Sequence, residues 1–446
     1  MSIASPRLAY YGDDFTGATD ALATATQAGL RSLLFFGVPT AAHLARVGPL
    51  DCLGIAGATR AMAPEAMRAT LQPVADFFHT IKPRVVHYKV CSTFDSAQQV
   101  GNIAVAMTTL GSAVDQRKPF IVGGQPSLGR YCVFAQLYAL ADGRVHRIDR
   151  HPTMSHHPVT PMHEADLRVH FAKLGAGRVE NIDMRICAEG VAAITKHLLS
   201  AWDNNADAVL FDAAEPSHLT AIGEVLARAS EVESLLVVGA SSVIEALGSQ
   251  WGSHQKHTEI RFDSASVKPA VVTDSFSAAH GPVLVLAGSL SPMTARQVQA
   301  ATSYRKIRLD PVRLASEDEV YQAAIVAEIA SLLRAGQHVL AWMDNTQGQR
   351  TSGVQSHALA SAGGRLLDAV LRRQPIKRLG VAGGDSSSLA MQALDAWGLS
   401  HVARIQPGVA LCRLHSDVPA FDRMQVMLKG GQMGSEDLFE RFLVGA

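Results

Sequence analysis

Residues 7–29, RLAYYGDDFTGATDALATATQAG, decide how the rest of the chain is read. The apolar run RLAYYG stops at two adjacent carboxylates, Asp13 and Asp14, and Thr16-Gly17 leads into ATDALATATQAG, a helix-like stretch. Strand, turn and helix in that order open a βαβ unit, and the alternation recurs. RSLLFFG, CLGIAGAT, RVVHYKV, PFIVGG, AVLFDAA and SLLVVGA read as further strands, with amphipathic stretches such as EAMRATLQPVADFFHTI between several of them. Near-continuous apolar strands alternating with helices predict a parallel sheet. After GASSVIEALGSQWG the pattern dissolves into the polar, Ser/Ala-rich residues 253–281, then resumes with PVLVLAGS, RKIRLD, HVLAWMD, RLGVAGG and MQVMLKG. The expectation is an α/β fold of two domains, each a mainly parallel sheet with flanking helices, with a ligand cleft between them. Their bounds are read as 1–252 and 282–446, joined by a linker at 253–281.

Composition supports that size. At 446 residues the chain exceeds what one hydrophobic core usually serves, and 48% hydrophobic residues are ample for two. Lys+Arg 40 balances Asp+Glu 40, so the surplus of positive charge that nucleic acids or anionic membranes require is missing. No apolar run approaches a membrane span, and the N-terminus lacks a signal-peptide layout. The five cysteines, Cys52, Cys91, Cys132, Cys187 and Cys412, are scattered without CxxC spacing, which argues against a disulfide framework or zinc site and fits a reducing cytoplasm.

Ligands of open α/β sheets bind beyond the carboxyl ends of the strands, so the strand-to-helix turns are where chemistry is expected. At the first turn, Asp13 and Asp14 should point differently, one into a cleft while the other holds the turn or caps the helix. An ordinary pair of capping residues is the plain alternative. A haloacid-dehalogenase arrangement needs its acids two apart, and here they are adjacent. In the second half, Gly383-Gly384-Asp385-Ser386-Ser387-Ser388 joins a strand to a helix whose free N–H groups suit a phosphate. Gly288-Ser289-Leu290-Ser291-Pro292 and Lys429-Gly430-Gly431-Gln432-Met433-Gly434 are comparable turns. Together they suggest a nucleotide crevice, although they match neither the Walker lysine loop nor GxGxxG. In the first half Arg60, Lys89 and Arg130 stand near strand ends, with Ser92, Thr93, Asp95, Gly101 and Asn102 after Lys89; the cations could hold an anionic substrate or be solvated surface charges. His151, His156, His157 and His163 lie in a proline-punctuated loop without metal-ligand spacing and read as a border of the substrate.

At these residues the chain resembles the four-carbon acid sugar kinases, nearly end to end. Asp13-Asp14-Phe15-Thr16-Gly17-Ala18 matches the family's opening Asp-Asp-x-Thr-Gly-Ala, Arg60 its arginine after the third strand, and Pro126–Arg130 and Pro158–Met162 two further motifs. Ser289, Gly383–Ser387 and Lys429–Gly434 match its Gly-Ser, Gly-Gly-(Asp/Glu)-(Thr/Ser)-Ser and Lys-x-Gly-x-x-Gly motifs. One segment departs: Cys91 replaces the family's acid and Asp95 its arginine, and YKVCSTFDS with GRYC resembles the 3-oxo-isoapionate kinase branch. The resemblance implies phosphoryl transfer from ATP with Mg²⁺ to a hydroxyl of a small sugar acid, oxo, branched or four-carbon. It implies Asp13, Asp14 and Lys89 as catalytic residues. Arg60, Ser92, Thr93, Asn102 and Arg130 would bind the sugar acid, and Ser289, Gly383, Gly384, Asp385, Ser386 and Gly431 the nucleotide. A homodimer stays open. The alternatives on the same fold are a sugar-acid-binding regulator and a phosphosugar enzyme that works without ATP.

Overall fold

The computed structural model describes residues 5–157, 159–252, 276–316, 318–343 and 356–445. Most of the expected linker, residues 253–275, and Pro158 lie outside these. The chain forms two compact units, residues 1–269 and 270–446.

The first unit carries β1 (Leu8–Gly12), β2 (Ser32–Phe35), β3 (Cys52–Ala56), β4 (Val85–Lys89), β5 (Gln116–Gly123), β6 (Arg130–Val133), β7 (Gln136–Ala141), β8 (Arg144–Arg147), β9 (Val179–Ile182), β10 (Ala208–Asp212) and β11 (Leu235–Gly239). Eight of these form a parallel sheet in the order β2-β3-β1-β4-β11-β5-β10-β9. Every residue of β1, β4, β10 and β11 is buried, as a sheet covered by helices on both faces demands. From β1 the chain runs outward to β2 and β3; from β4 it runs the other way, toward β5. The carboxyl ends of β1 and β4 therefore flank a topological switch point, where an open α/β sheet leaves a crevice. Asp13 follows β1 and Lys89 ends β4.

A second, antiparallel sheet of β6, β7 and β8 was not expected from the sequence. Its strands are short and only half buried, so no apolar run marks them. Asp142-Gly143, both at positive φ (48° and 75°), makes the tight β7–β8 connection that a two-residue hairpin loop requires.

The second unit contains β12 (Val283–Ala287), β13 (Arg305–Leu309), β14 (Val339–Met343), β15 (Arg378–Ala382), β16 (Ala396–Gln406), β17 (Val409–Ser416) and β18 (Gln425–Lys429). Its order is β13-β14-β12-β15-β18-β17-β16, parallel as far as β18 and antiparallel through β17 and β16. The parallel part follows the expectation; the long β16–β17 hairpin extends it. Here the switch point falls between β12 and β15, whose carboxyl ends lead to Ser289 and Gly383. Among the described residues no helix is long and apolar enough to cross a membrane.

Candidate functional site

In the first unit the site is built on one arginine. Arg60 sits in a short 3-10 turn, Thr59–Ala61, after β3, and its backbone N–H donates to the Asp13 carbonyl at 3.1 Å. That bond delivers its guanidinium to both aspartates. Nε and Nη2 grip Asp13 at 3.0 and 2.7 Å, while Nη1 and Nη2 reach Asp14 at 3.1 and 3.0 Å. The fork geometry of arginine matches a carboxylate twice over, which a lysine could not do. The repulsion between neighbouring acids is thus offset by one shared cation.

The two carboxylates differ. Asp13 has a side chain only 4% exposed, Asp14 one 28% exposed. Burial pushes the Asp13 carboxyl above the usual carboxylate range, and the adjacent Asp14 charge adds to that although Arg60 opposes it. Burial acts the same way on Asp14, but Arg60, Lys89 and hydrogen bonds from the Gly17 N–H and Thr16 hydroxyl together hold it below that range. Asp14 also caps the helix Phe15–Gln27, accepting from the Gly17 N–H at 2.9 Å. A Cβ on Gly17 would come 2.4 Å from Asp14 Oδ1 and 2.7 Å from Lys89 Nζ, so the acid and the ammonium crowd one bare Cα. Lys89 itself is buried and donates to the Val90 carbonyl at 2.8 Å.

Beyond Lys89 the chain turns inward. Asp95 is buried, accepts from Thr93 Oγ1 at 2.6 Å and Thr160 Oγ1 at 3.1 Å, and Thr160 lies 3.0 Å from His157 Nδ1. Against the cost of burial, the Arg60 charge foremost keeps the Asp95 carboxyl below the usual range. Arg60, in turn, is raised well above its ordinary value: Asp13, Asp14, Cys91 and Asp95 outweigh its own burial. From sequence Arg60 is either a clamp for an anionic substrate or a solvated surface charge; its partners in the structure are the protein's own acids.

Other expected contacts sit differently. Asn102 caps the helix Ile103–Gly111 through Val105 N–H and donates to the Gln98 and Leu174 carbonyls, so both ends of its amide serve the backbone. Arg130 Nη1 donates to the carbonyls of Leu128, Gly129 and Leu140, bracing the β6–β7 sheet. Ser92 remains partly exposed beside buried Thr93. The histidines organise their own loop: His151 Nδ1 accepts from Thr153 and Met154 N–H, and His157 Nδ1 from Thr160 N–H. No group of three or more His, Cys, Asp or Glu that could hold a metal occurs among the described residues.

In the second unit three turns converge. Gly288 and Ser289 both donate their N–H to the Ala382 carbonyl, at 3.0 and 2.9 Å, and Gly383 N–H donates to the Lys429 carbonyl at 2.9 Å. Gly383, at φ 129°, precedes the helix Gly384–Ala393, whose first turn is Gly384, Asp385 and Ser386 and which has no side-chain cap. Its leading N–H groups are thus left for an anion. A Cβ on Gly288 would stand 2.3 Å from Ser386 Oγ, and one on Gly431 2.4 Å from Ser289 Oγ, so glycine is what lets these turns close together.

Behind them is a residue the motif contains but sequence reasoning gave no role. Lys429 is completely buried, and its Nζ donates to Gln297 Oε1 at 2.6 Å, Thr294 Oγ1 at 3.0 Å and the Gly431 carbonyl at 3.2 Å. Ser291 and Thr294 hydroxyls donate to the same Gly431 carbonyl at 2.5 and 2.9 Å. No carboxylate pairs with it among the described residues, and burial pushes the Lys429 ammonium down to about 8.

Comparison with known proteins agrees with this division. Residues 8–247 match a family model described as a sugar-binding N-terminal domain, and residues 284–439 one described as a nucleotide-binding C-terminal domain. The chain is 35% identical to a 3-oxo-isoapionate kinase of Paraburkholderia graminis, over 97% of this chain and 93% of that one. It is 28% identical to a 3-oxo-tetronate kinase of Cupriavidus necator, covering 98% and 96%. Among solved structures, a Salmonella typhimurium LT2 protein superposes with a TM-score of 0.79 at 25% identity, covering 98% of each chain. A Haemophilus influenzae protein shares the fold with a TM-score of 0.72 at 21% identity, over 97% and 98%. A sugar-binding α/β unit followed by a nucleotide-binding one defines an ATP-dependent carbohydrate-acid kinase. The chain belongs to the four-carbon acid sugar kinase family.

Proposed function

We propose that this enzyme transfers the terminal phosphoryl group of ATP to a hydroxyl of an oxo or branched sugar acid of the 3-oxo-isoapionate type, with Asp14 as the carboxylate that meets the attacking hydroxyl. The observation that carries the assignment is the unequal pair: Asp13 is enclosed by Arg60, whereas Asp14 keeps an exposed edge beside the Lys89 ammonium. Phosphoryl transfer is mostly positioning and charge stabilisation. Asp14 orients the hydroxyl and receives its proton. Lys89 supplies positive charge beside it. Arg60 and Asp13 hold Asp14 in place, and Asp13 is a positioning residue in this scheme.

The nucleotide is held by Gly383, Gly384, Asp385 and Ser386 with Ser289 and Gly431, where the uncapped helix Gly384–Ala393 presents N–H groups to phosphate oxygens. Mg²⁺ arrives with ATP as part of that substrate; coordinated largely by phosphates and water, it needs only one or two protein carboxylates. The choice of sugar acid is supported by the 35% identical relative, which is named as a 3-oxo-isoapionate kinase.

A coupled ADP-release assay over linear, branched and oxo sugar acids tests the reading. Turnover should be highest on an oxo or branched acid and should require ATP. Equal turnover on all linear tetronates, or product formed without ATP, would defeat it.

A further inference from the structure

The amino ends of β15 and β18, opposite the nucleotide turns, frame a cavity of about 450 Å³. Five residues of strand separate the two ends, roughly 16 Å at the usual rise. Lys377 and Arg378 enter β15, Arg423 and Gln425 enter β18, and His280 closes one side; all five line the cavity. Arg378 is buried, and among the described residues no acid pairs with it. Its guanidinium donates to Gln425 Oε1 at 2.6 and 2.9 Å, to the Phe442 carbonyl at 2.9 Å and to the Ser277 carbonyl at 2.9 Å, and lies over the rings of Phe276 and Phe442. Lys377 and Arg423 are exposed, and their side chains make no hydrogen bond or ion pair among the described residues. Arg423 is held at φ 68° by the turn before β18.

The facing charges are unequal. Asp422 is the one carboxylate in the lining, and its Oδ1 already accepts from the Ser416 N–H at 3.2 Å. Arg413, on the neighbouring β17, lies near enough for Arg423 to repel it and Asp422 to attract it. In the lining itself Lys377, Arg378 and Arg423 thus face one acid, in a protein whose total charge is zero. Such an imbalance in a concave, partly desolvated place focuses potential on small anions.

We infer that this cavity is a second anion site, built to take a small acid carrying both a phosphate and a carboxylate. Lys377 and Arg423, at the mouths of adjacent strands, engage the two charged groups, and buried Arg378 supplies positive charge from the floor. That is the chemical class of a sugar-acid kinase's own product, so the site would sense product on a face remote from the nucleotide turns. The choice of ligand rests on the kinase reading; the site itself does not.

Titration calorimetry on the full chain saturated with ADP tests this, using 3-phosphoglycerate and inorganic phosphate as probes. The expected result is saturable binding of 3-phosphoglycerate, at least tenfold tighter than phosphate. Lys377→Glu/Arg423→Glu should weaken it tenfold or more, with kcat and melting temperature kept, whereas Asp14→Asn should leave it unchanged. If the charge-reversed variant melts early, Lys377→Gln/Arg423→Gln replaces it. Equal affinity for both probes, loss of binding in Asp14→Asn, or undiminished binding in the Lys377/Arg423 variants would each overturn the site without touching the kinase assignment.

Discussion

Asp14 combines two duties that the sequence reading had divided between neighbours: it caps the helix Phe15–Gln27, and it keeps the exposed edge of the acidic pair. Adjacency was legible in the sequence; which acid faces outward was not, because that depends on Arg60, forty-odd residues away, closing on Asp13 first. The Asp95–Thr160–His157 chain was hidden for the same reason, since no local pattern links a strand end to a distant loop. The substitution Asp14→Asn separates the duties, because asparagine caps about as well as aspartate. It should cut kcat by roughly 10²–10⁴ with little change in melting temperature. Asp13→Asn leaves a half-buried guanidinium, still paired with Asp14, without its bidentate partner and should cost stability by about 1–3 kcal/mol. Steady-state kinetics and urea unfolding on both variants check this. Normal turnover in Asp14→Asn would remove it from the chemistry.

At the level of elements, most of the strands that were legible are buried on both faces, where burial forces an apolar run; β13 (RKIRL), with exposed and buried positions mixed, is the exception. The elements that escaped are partly wet: β6, β7 and β8 mix exposed and buried positions, and β9 (VENI) holds two half-buried polar residues between two buried apolar ones. β16 and β17 carry Ser400, His401, Arg404 and Arg413 within their span, which broke the apolar pattern, although Gly408 at φ 72° marks their tight connection. The turns of the nucleotide unit were legible as glycine-rich, but not why each glycine is needed. Gly288 is the clearest case. Its φ is ordinary, so alanine is no strain on the backbone; the added methyl would instead stand 2.3 Å from Ser386 Oγ and displace that hydroxyl from the first turn of the helix Gly384–Ala393. Gly288→Ala should therefore raise the KM for ATP tenfold or more, while the KM for the sugar acid stays within about twofold, each tenfold being worth about 1.4 kcal/mol of binding. An ATP KM unchanged from wild type would mean these turns do not hold the nucleotide.

The whole molecule's stability records the most costly of these arrangements. A lysine with no accessible surface and three neutral acceptors is a charge buried without a counter-charge, tolerated because it fixes the Gly431 carbonyl and thereby the turn. Its ammonium loses its proton near 8 in the folded chain and near 10.5 once unfolded. Below pH 8 both states are protonated and the full penalty of burial is present. Between 8 and 10.5 the unfolded chain binds the proton and the folded chain does not, so folding is favoured increasingly as pH rises. The gain across that window should be about 3 kcal/mol. Other lysines and tyrosines titrate there as well, so the informative quantity is the difference between wild type and Lys429→Met. Two compact units need not melt in one transition, and the comparison belongs to whichever transition the substitution moves. Urea unfolding at pH 7.5, 9 and 10.5 should show the wild type gaining on the variant at each step, while at pH 7.5 the variant, relieved of the buried charge, should bind ATP less tightly because the Gly431 carbonyl has lost its anchor. Parallel stability profiles for the two proteins would mean that Lys429 keeps an ordinary proton affinity, and undiminished ATP binding in the variant that the turn is held by Ser291 and Thr294 alone.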